Sequence, residues 1–375
     1  MKILHIINNL GSGGAEKLIE EMVPIINEKE NIRVDVLLLT DKNNVFDKKL
    51  KKYGIKLDVV SIRQPRNPIN VYYLIKYIVQ GGYDIVHAHL FPTIYWTSIA
   101  SKIMFEDKPK FVMTEHSTHN RRREKSYLRY FEKYIYSSYD KIISISQQAQ
   151  KNLISWLRPN QNELNKFVVI NNGVDVYKFQ NAISYKKSEL CREFTEDTKL
   201  VCMVGRFSEA KDQPTLIKAM RNLTKDTHLL LVGDGPLREE SERLAKDIGV
   251  GNRVHFLGFR NDVERILKTV DIVVLSSKWE GFALAALEGM AAGKPVIVSD
   301  IDGLREVVEG AGITFPKGNS DKLAEILNIL INNMEIYNEI SKLCLQRSKL
   351  FDMSNTIEAY FQLYRDLFKK TFSDD

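Results

Sequence analysis

The sequence predicts an α/β protein of two doubly wound domains, each a parallel sheet covered by helices on both faces. Three observations carry this. The chain has 375 residues, about two ordinary domains of 150–200 residues. Short β-rich runs alternate with helix-period segments throughout, which is the pattern of strand–helix–strand crossovers. Between the halves lies Asn171-Asn172-Gly173-Val174-Asp175, whose turn chemistry suits a boundary.

In the first half the strand candidates are Lys2–Ile7, Arg33–Thr40, Lys56–Ile62, Asp84–Leu90, Lys110–His116, Lys141–Ser146 and Lys166–Ile170. Helices are predicted over Ala15–Asn27, Asn70–Val79, Pro92–Ile103, Arg123–Ser137 and Gln147–Leu157. The second half repeats the scheme with strands at Lys199–Val204, His228–Val232, Val254–Leu257, Ile272–Ser276, Pro295–Ser299 and Gly312–Phe315. Its helices are predicted over Asp212–Leu223, Arg238–Ile248, Asp262–Thr269, Phe282–Ala292, Leu304–Glu309 and Lys322–Asn332. The repetition is architectural, with no repeated sequence motif. In open sheets of this kind ligands bind beyond the carboxyl ends of the strands, so the residues just after strands are the informative ones.

Composition, 44% apolar and 27% charged, is that of a globular protein. The apolar run Met1–Ile7 is too short for a signal-peptide core, and no stretch reaches the ~20 apolar residues of a membrane span. Cys191, Cys202 and Cys344 are odd in number and far apart, so no disulfide framework is expected and a cytoplasmic location is. The net charge of +6 is uneven. Residues 1–175 hold 26 Lys and Arg against 18 Asp and Glu, a balance of +8, and the remainder is at −2. Such asymmetry points to an anionic partner.

Four motifs follow strand ends. In Glu280-Gly281-Phe282-Ala283-Leu284-Ala-Ala-Leu-Glu288 a glycine permits a tight entry, and a helix starting near Phe282 would offer its amides to an anion. Glu280 and Glu288 are then ~12 Å apart along the helix. They suit two ends of an elongated ligand rather than one metal. In Gly205-Arg206-Phe-Ser-Glu-Ala-Lys211-Asp-Gln-Pro214, two cations at a strand end suit a pyrophosphate. Asn9-Leu-Gly11-Ser-Gly13-Gly14-Ala15-Glu16 fails the dinucleotide fingerprint, because Glu16 stands where the third glycine belongs. It remains a glycine turn that admits close backbone approach to an anion. His87, His89 and His116, with His119 nearby, have HxH and HxxH spacing, but no acidic residue accompanies them as a metal ligand. They are read as structural histidines or as polar groups lining a site, His116 above all. Asp300-Ile-Asp302 has the form of a DxD motif, yet its place before a helix makes a loop or capping role the expectation.

Taken together these segments resemble glycosyltransferase family 4, the retaining family with the GT-B fold of two Rossmann-like domains facing across a cleft. The resemblance rests on Gly13-Gly14-Ala15-Glu16, Asn172-Gly173-Val174-Asp175, Gly205-Arg206 with Lys211, Gly233-Asp234-Gly235-Pro236, Leu257-Gly258-Phe259, and Ser277-Lys-Trp-Glu280-Gly-Phe282 with Glu288. Asn171 stands where the family often has proline. The resemblance implies an acceptor domain of residues 1–172 and 355–375, the last by a returning helix over Asn355–Lys370, and a nucleotide-sugar domain of residues 173–354.

It also implies residue roles. Arg206 and Lys211 would hold the donor diphosphate and act in catalysis with Glu280 and His116. Glu288 would hold the ribose. Glu280 and the backbone of Gly281, Phe282, Ala283 and Leu284 would hold the donor sugar. Gly13, Gly14 and Gly235 would lie against the phosphates, and Phe259 against the base. His89 and Glu16 would face the acceptor.

The implied reaction moves a hexose or N-acetylhexosamine from a nucleotide sugar, a UDP-sugar in the first instance, to a hydroxyl of a lipid-linked glycan, as in bacterial polysaccharide synthesis. No cofactor or metal is expected. A sugar-nucleotide epimerase or hydrolase of the same fold, or a non-catalytic nucleotide-sugar-binding subunit, is the alternative. A nucleic-acid partner is not expected, since the second half is not basic and no aromatic–basic platform motif occurs. Arg121-Arg122-Arg123-Glu124-Lys125, with Arg129 and Lys133 and the interleaved Tyr127, Leu128, Tyr130, Phe131, Tyr134 and Ile135, raises the expectation of peripheral contact with the anionic inner face of a membrane.

Overall fold

A computed structural model describes residues 1–11, 13–104, 108–118 and 121–371, the side chains of Arg121, Lys370 and Thr371 excepted. The chain forms two compact units, Met1–Asn172 with the segment from Ser354 onward, and Gly173–Met353.

The first unit holds strands β1 (Lys2–Ile7), β2 (Arg33–Leu38), β3 (Lys56–Val59), β4 (Ile85–His89), β5 (Lys110–Glu115), β6 (Lys141–Ser144) and β7 (Phe167–Val169). They make one sheet in the order β3-β2-β1-β4-β5-β6-β7, and every pairing is parallel. Side chains alternate between its faces. Leu4 and Ile6 of β1, Val86 and Ala88 of β4, and Phe111 and Met113 of β5 pack with Leu74, Ile78, Ile135 and Leu153 of helices in one apolar cluster. The opposite parity carries His5, aligned with His87, and His89, aligned with Thr114.

The second unit holds β8 (Lys199–Val204), β9 (Thr227–Val232), β10 (Val254–Gly258), β11 (Ile272–Leu275), β12 (Val296–Ser299) and β13 (Ile313–Phe315). Their order is β10-β9-β8-β11-β12-β13, again all parallel. Its core joins Val201, Met203, Leu229, Leu231, Ile272 and Val274 to Leu216, Ile217, Leu323 and Leu327 of the helices.

Every predicted strand is present, its ends within three residues of those expected. Helices differ more. The predicted helix Arg123–Ser137 is a 3-10 turn, Arg121–Glu124, followed by a helix over Leu128–Tyr136. The helix expected from Phe282 begins at Leu284. A helix over Met334–Ser348 escaped prediction. Cys344 and Ser348 in it are buried and Ile336, Tyr337 and Ile340 pack partly buried against the core, so its apolar residues do recur at helical spacing. The final helix runs Met353–Thr371, with Tyr360 and Tyr364 fully buried in the first unit.

Candidate functional site

In the second unit the loops leaving β8, β9 and β10 are tied into one backbone lattice. Gly205 N–H donates to Val232 O at 2.9 Å, Phe207 N–H to Asp234 O at 3.0 Å, and Gly233 N–H to Gly258 O at 2.8 Å. Two positions require glycine. Gly233 has φ 134° and Gly235 φ 157°. A Cβ at Gly233 would strike the Gly205 carbonyl, and one at Gly235 the backbone of Phe207. The lattice presents Arg206, exposed, with its carbonyl held by Gln213 Nε2 at 3.1 Å. Phe259 follows β10 directly and is exposed.

The loop after β11 joins the loop after β8 through Lys278 N–H to Ala210 O, 2.8 Å. This brings Lys211 to Glu280: Nζ lies 2.5 Å from Oε1, and Ser277 Oγ donates to the same oxygen at 2.7 Å. Glu288 lies on the buried side of the helix Leu284–Ala291, as do Phe282 and Ala283 just before it. The Leu284 N–H is already given to the Phe282 carbonyl at 3.0 Å. The backbone donors expected over Gly281–Leu284 therefore narrow to Gly281, Phe282 and Ala283. Asp300 and Asp302 are bridged by Arg305, at 2.7 and 3.4 Å, and Asp302 opens the helix Asp302–Val308. This is a loop and first-turn role.

In the first unit Gly13 precedes the 14-residue helix Gly14–Asn27, with Glu16 in its first turn. A Cβ at Gly13 would run into the Glu16 carboxylate.

At the carboxyl ends of β4 and β5 the structure assembles His89 and His116 with a residue that sequence reasoning missed, His5. His5 Nδ1 meets His89 Nε2 at 3.0 Å, and His89 Nδ1 meets His116 Nε2 at 3.0 Å. His87 Nδ1 meets Tyr364 OH at 2.7 Å and its Nε2 meets Thr114 Oγ1 at 2.8 Å. The available signal was parity: with β1 and β4 adjacent and parallel, His5, His87 and His89 fall on one sheet face. Burial pushes His5 and His116 down to about 3, and His87 and His89 well below the usual imidazole value. All four rings are therefore neutral near pH 7.

His5, His87 and His89 each offer a ring nitrogen within 4.8 Å of the others, which in geometry could hold a metal. Those nitrogens are engaged by one another, by Thr114 and by Tyr364. His119 lies outside the described residues.

The arginine segment behaves differently from the expectation of a docking surface. Arg122 Nε binds Glu132 Oε1 at 3.1 Å, and Glu132, fully buried, also accepts from Tyr95 OH at 2.6 Å and Trp156 Nε1 at 2.7 Å. Arg123 pairs with Glu115, which accepts from Tyr136 OH at 3.1 Å. These two arginines are turned inward because two buried carboxylates need partners.

Residues 12–178 match the family described as Glycosyltransferase Family 4, and residues 191–343 match Glycosyl transferases group 1. An uncharacterized glycosyltransferase of Methanocaldococcus jannaschii is 30% identical over 259 residues, 64% of each chain. The Escherichia coli UDP-Gal:alpha-D-GlcNAc-diphosphoundecaprenol alpha-1,3-galactosyltransferase is 26% identical across 98% of this chain and 97% of its own. A Campylobacter jejuni N,N'-diacetylbacillosaminyl-diphospho-undecaprenol alpha-1,3-N-acetylgalactosaminyltransferase is 29% identical over 55% of this chain and 56% of its own. In fold, the Anabaena protein HepE, solved with UDP and glucose, superposes with a TM-score of 0.84 at 24% identity, covering 98% of this chain and 100% of that one. With both modules in sequence and both sheets in structure, the chain belongs to the family 4 glycosyltransferases of GT-B fold, and it is a transferase enzyme.

Proposed function

We propose that this protein transfers a hexose or N-acetylhexosamine from a UDP-sugar to a hydroxyl of a lipid-linked glycan, with retention of configuration and without a metal, in the assembly of a bacterial-type polysaccharide. The observation that carries the reading is the lattice of loops leaving β8 to β11, which gathers Arg206, Lys211, Glu280 and the Gly281 turn at strand carboxyl ends. In this reading the bond between the anomeric carbon and the diphosphate oxygen breaks as the acceptor oxygen bonds to the same face. The acceptor's proton passes to the departing phosphate oxygen. Arg206, Lys211 and the amides before Leu284 stabilise the charge that grows there. Glu280 and His116 orient the sugar, Glu288 the ribose, and Phe259 the base. His89 and Glu16 face the acceptor. The E. coli and C. jejuni relatives, whose names carry diphosphoundecaprenol acceptors, support the lipid-linked class. No helix among the described residues is long and apolar enough to cross a membrane, so the acceptor's lipid would be met from the membrane surface.

The test is incubation with a panel of UDP-hexoses, UDP-N-acetylhexosamines and GDP-mannose, with and without a prenyl-diphosphate-linked N-acetylhexosamine. One UDP-sugar should give a lipid-linked disaccharide whose first-formed anomer, by proton NMR, matches the donor's. Donor turnover without acceptor would favour the epimerase or hydrolase reading, and an inverted anomer would overturn retention.

A further inference from the structure

The histidine face of the first sheet is a continuous hydrogen-bonded chain. From one end it runs Thr114 Oγ1 to His87 Nε2, 2.8 Å; His87 Nδ1 to Tyr364 OH, 2.7 Å; Tyr364 OH to His5 Nε2, 3.4 Å; His5 Nδ1 to His89 Nε2, 3.0 Å; and His89 Nδ1 to His116 Nε2, 3.0 Å. At its far end Tyr360 OH lies 3.4 Å from Thr114 Oγ1. At its near end His116 Nδ1 is buried and has no partner among the described residues. Packing alone does not account for this face, since apolar side chains would fill it with no need for partners.

A neutral imidazole has one N–H and one acceptor nitrogen. In a run of directly bonded rings each tautomer dictates the next, so only two polarities satisfy both links of His5–His89–His116. The phenol of Tyr364 decides between them. It has one proton and two ring neighbours, one at 2.7 Å and one at 3.4 Å. The short distance fits an O–H donor better than an N–H donor, whose usual distance is about 2.9–3.0 Å. Tyr364 thus donates to His87 Nδ1. His87 Nε2–H then donates to Thr114, and the Thr114 hydroxyl is left to face Tyr360. On the other side His5 Nε2–H donates to Tyr364, His89 Nε2–H to His5 Nδ1, and His116 Nε2–H to His89 Nδ1.

We propose that Tyr364, acting through His5 and His89, is a positioning residue that locks His116 in its Nε2–H tautomer and holds Nδ1 as a bare acceptor for a sugar hydroxyl. The opposite polarity would present an N–H, which suits a phosphate or carbonyl oxygen instead. The relay therefore makes this end of the site select a hydroxyl over an anionic oxygen. Tyr364 comes from the final helix, more than 240 residues beyond His116 in sequence, so the polarity of the site depends on that helix being docked. The inference rests on the reading that His116 lies beside the transferred sugar, but its first test does not.

That test is long-range proton–nitrogen NMR of histidine rings in the ligand-free, full-length wild-type protein, with His116 assigned by its loss in His116→Gln. His116 should show a protonated Nε2 and an unprotonated Nδ1. A protonated Nδ1, or an equal mixture, overturns the relay whatever the protein transfers. The second test is Tyr364→Phe, which removes one hydroxyl and keeps the ring. The His116 nitrogen shifts should move toward a tautomer mixture, three hydrogen bonds from the change, and kcat/KM for transfer should fall about tenfold. Unmoved shifts in a folded Tyr364→Phe protein would reduce Tyr364 to packing. If that variant does not fold, the wild-type tautomer still decides. A correct tautomer with unchanged transfer would retain the relay and remove His116 from the sugar.

Discussion

Lys211 and Glu280, 69 positions apart, meet as an ion pair, Nζ to Oε1 2.5 Å, at the mouth of the β8–β11 loop lattice. A cation assigned to the diphosphate is thus held by a carboxylate assigned to the sugar. Substitutions should separate the two roles. Arg206→Ala and Lys211→Ala should each weaken UDP binding in calorimetry and lower kcat/KM by roughly 10²-fold or more, the scale of losing one transition-state donor. Glu280→Ala should abolish most transfer while leaving UDP affinity intact or improved, because Lys211 is released toward the diphosphate. If Glu280→Ala weakens UDP as much as Lys211→Ala does, the pair is scaffold for the phosphate pocket and the assignment of Glu280 to the sugar is wrong.

Metal independence is a second expectation. If Arg206 and Lys211 hold the diphosphate as proposed, they supply two positive charges there, and the DxD carboxylates are already bridged by Arg305. Transfer should continue in excess EDTA at no less than about half its rate, a difference under 1 kcal/mol in barrier. Abolition by chelator, with recovery on adding Mn²⁺ or Mg²⁺, would reverse this.

The buried histidines set a pH dependence of stability. His5, His87, His89 and His116 have folded pKa values lowered from about 6.5 by burial. The unfolded chain therefore binds more protons than the native one below pH 6.5, and stability falls as pH falls through that value. Each such ring costs ~1.4 kcal/mol per pH unit in that window. The melting temperature should be flat above pH 7 and decline steeply from pH 6.5 to 5, with at least about four protons taken up on unfolding. A flat profile over that interval would mean that these rings are not neutral and buried together.

Much of the fold is legible in the sequence because buried parallel strands read as short apolar runs ending in Gly, Asn or His, as at Val204-Gly205 and Val232-Gly233. The motifs proposed for the donor stand out for the same reason, since each sits in the few residues after a strand. The histidine relay is not legible. His5 sits in an ordinary strand pattern, and its partners come from β4, β5 and the final helix, so only the sheet order reveals the contact. The arginine segment misleads for a related reason. Arg122 and Arg123 look like surface charge until Glu132 and Glu115 are placed under them.

That correction relocates the predicted membrane contact. The helix Leu128–Tyr136 buries Glu132, Ile135 and Tyr136. It and the residue before it leave Tyr127 68%, Tyr130 72%, Phe131 47% and Tyr134 59% exposed. Cations accompany the rings: Arg129 lies 4.9 Å from the Tyr130 centroid and Lys102 4.0 Å from that of Tyr134. Burial, with Lys166 and Lys108 nearby, holds the Lys102 ammonium below its ordinary value. The smaller part of that effect, the crowding of positive charge by Lys166 and Lys108, is one an anionic surface would relieve. Exposed aromatic rings beside lysines are the composition of an interfacial anchor, and each basic residue near an anionic surface contributes ~1 kcal/mol. Binding to phosphatidylglycerol vesicles should therefore be reversible, salt-sensitive and weaker on neutral phosphatidylcholine. Tyr127, Tyr130 and Tyr134 changed together to Ser should reduce sedimentation with vesicles at unchanged melting temperature. Arg122→Ser and Arg123→Ser should instead lower the melting temperature, since leaving a buried carboxylate unpaired costs about 3–5 kcal/mol. Equal sedimentation of the triple-Ser variant and wild type, or equal binding to neutral and anionic vesicles, would leave the exposed rings without a membrane role.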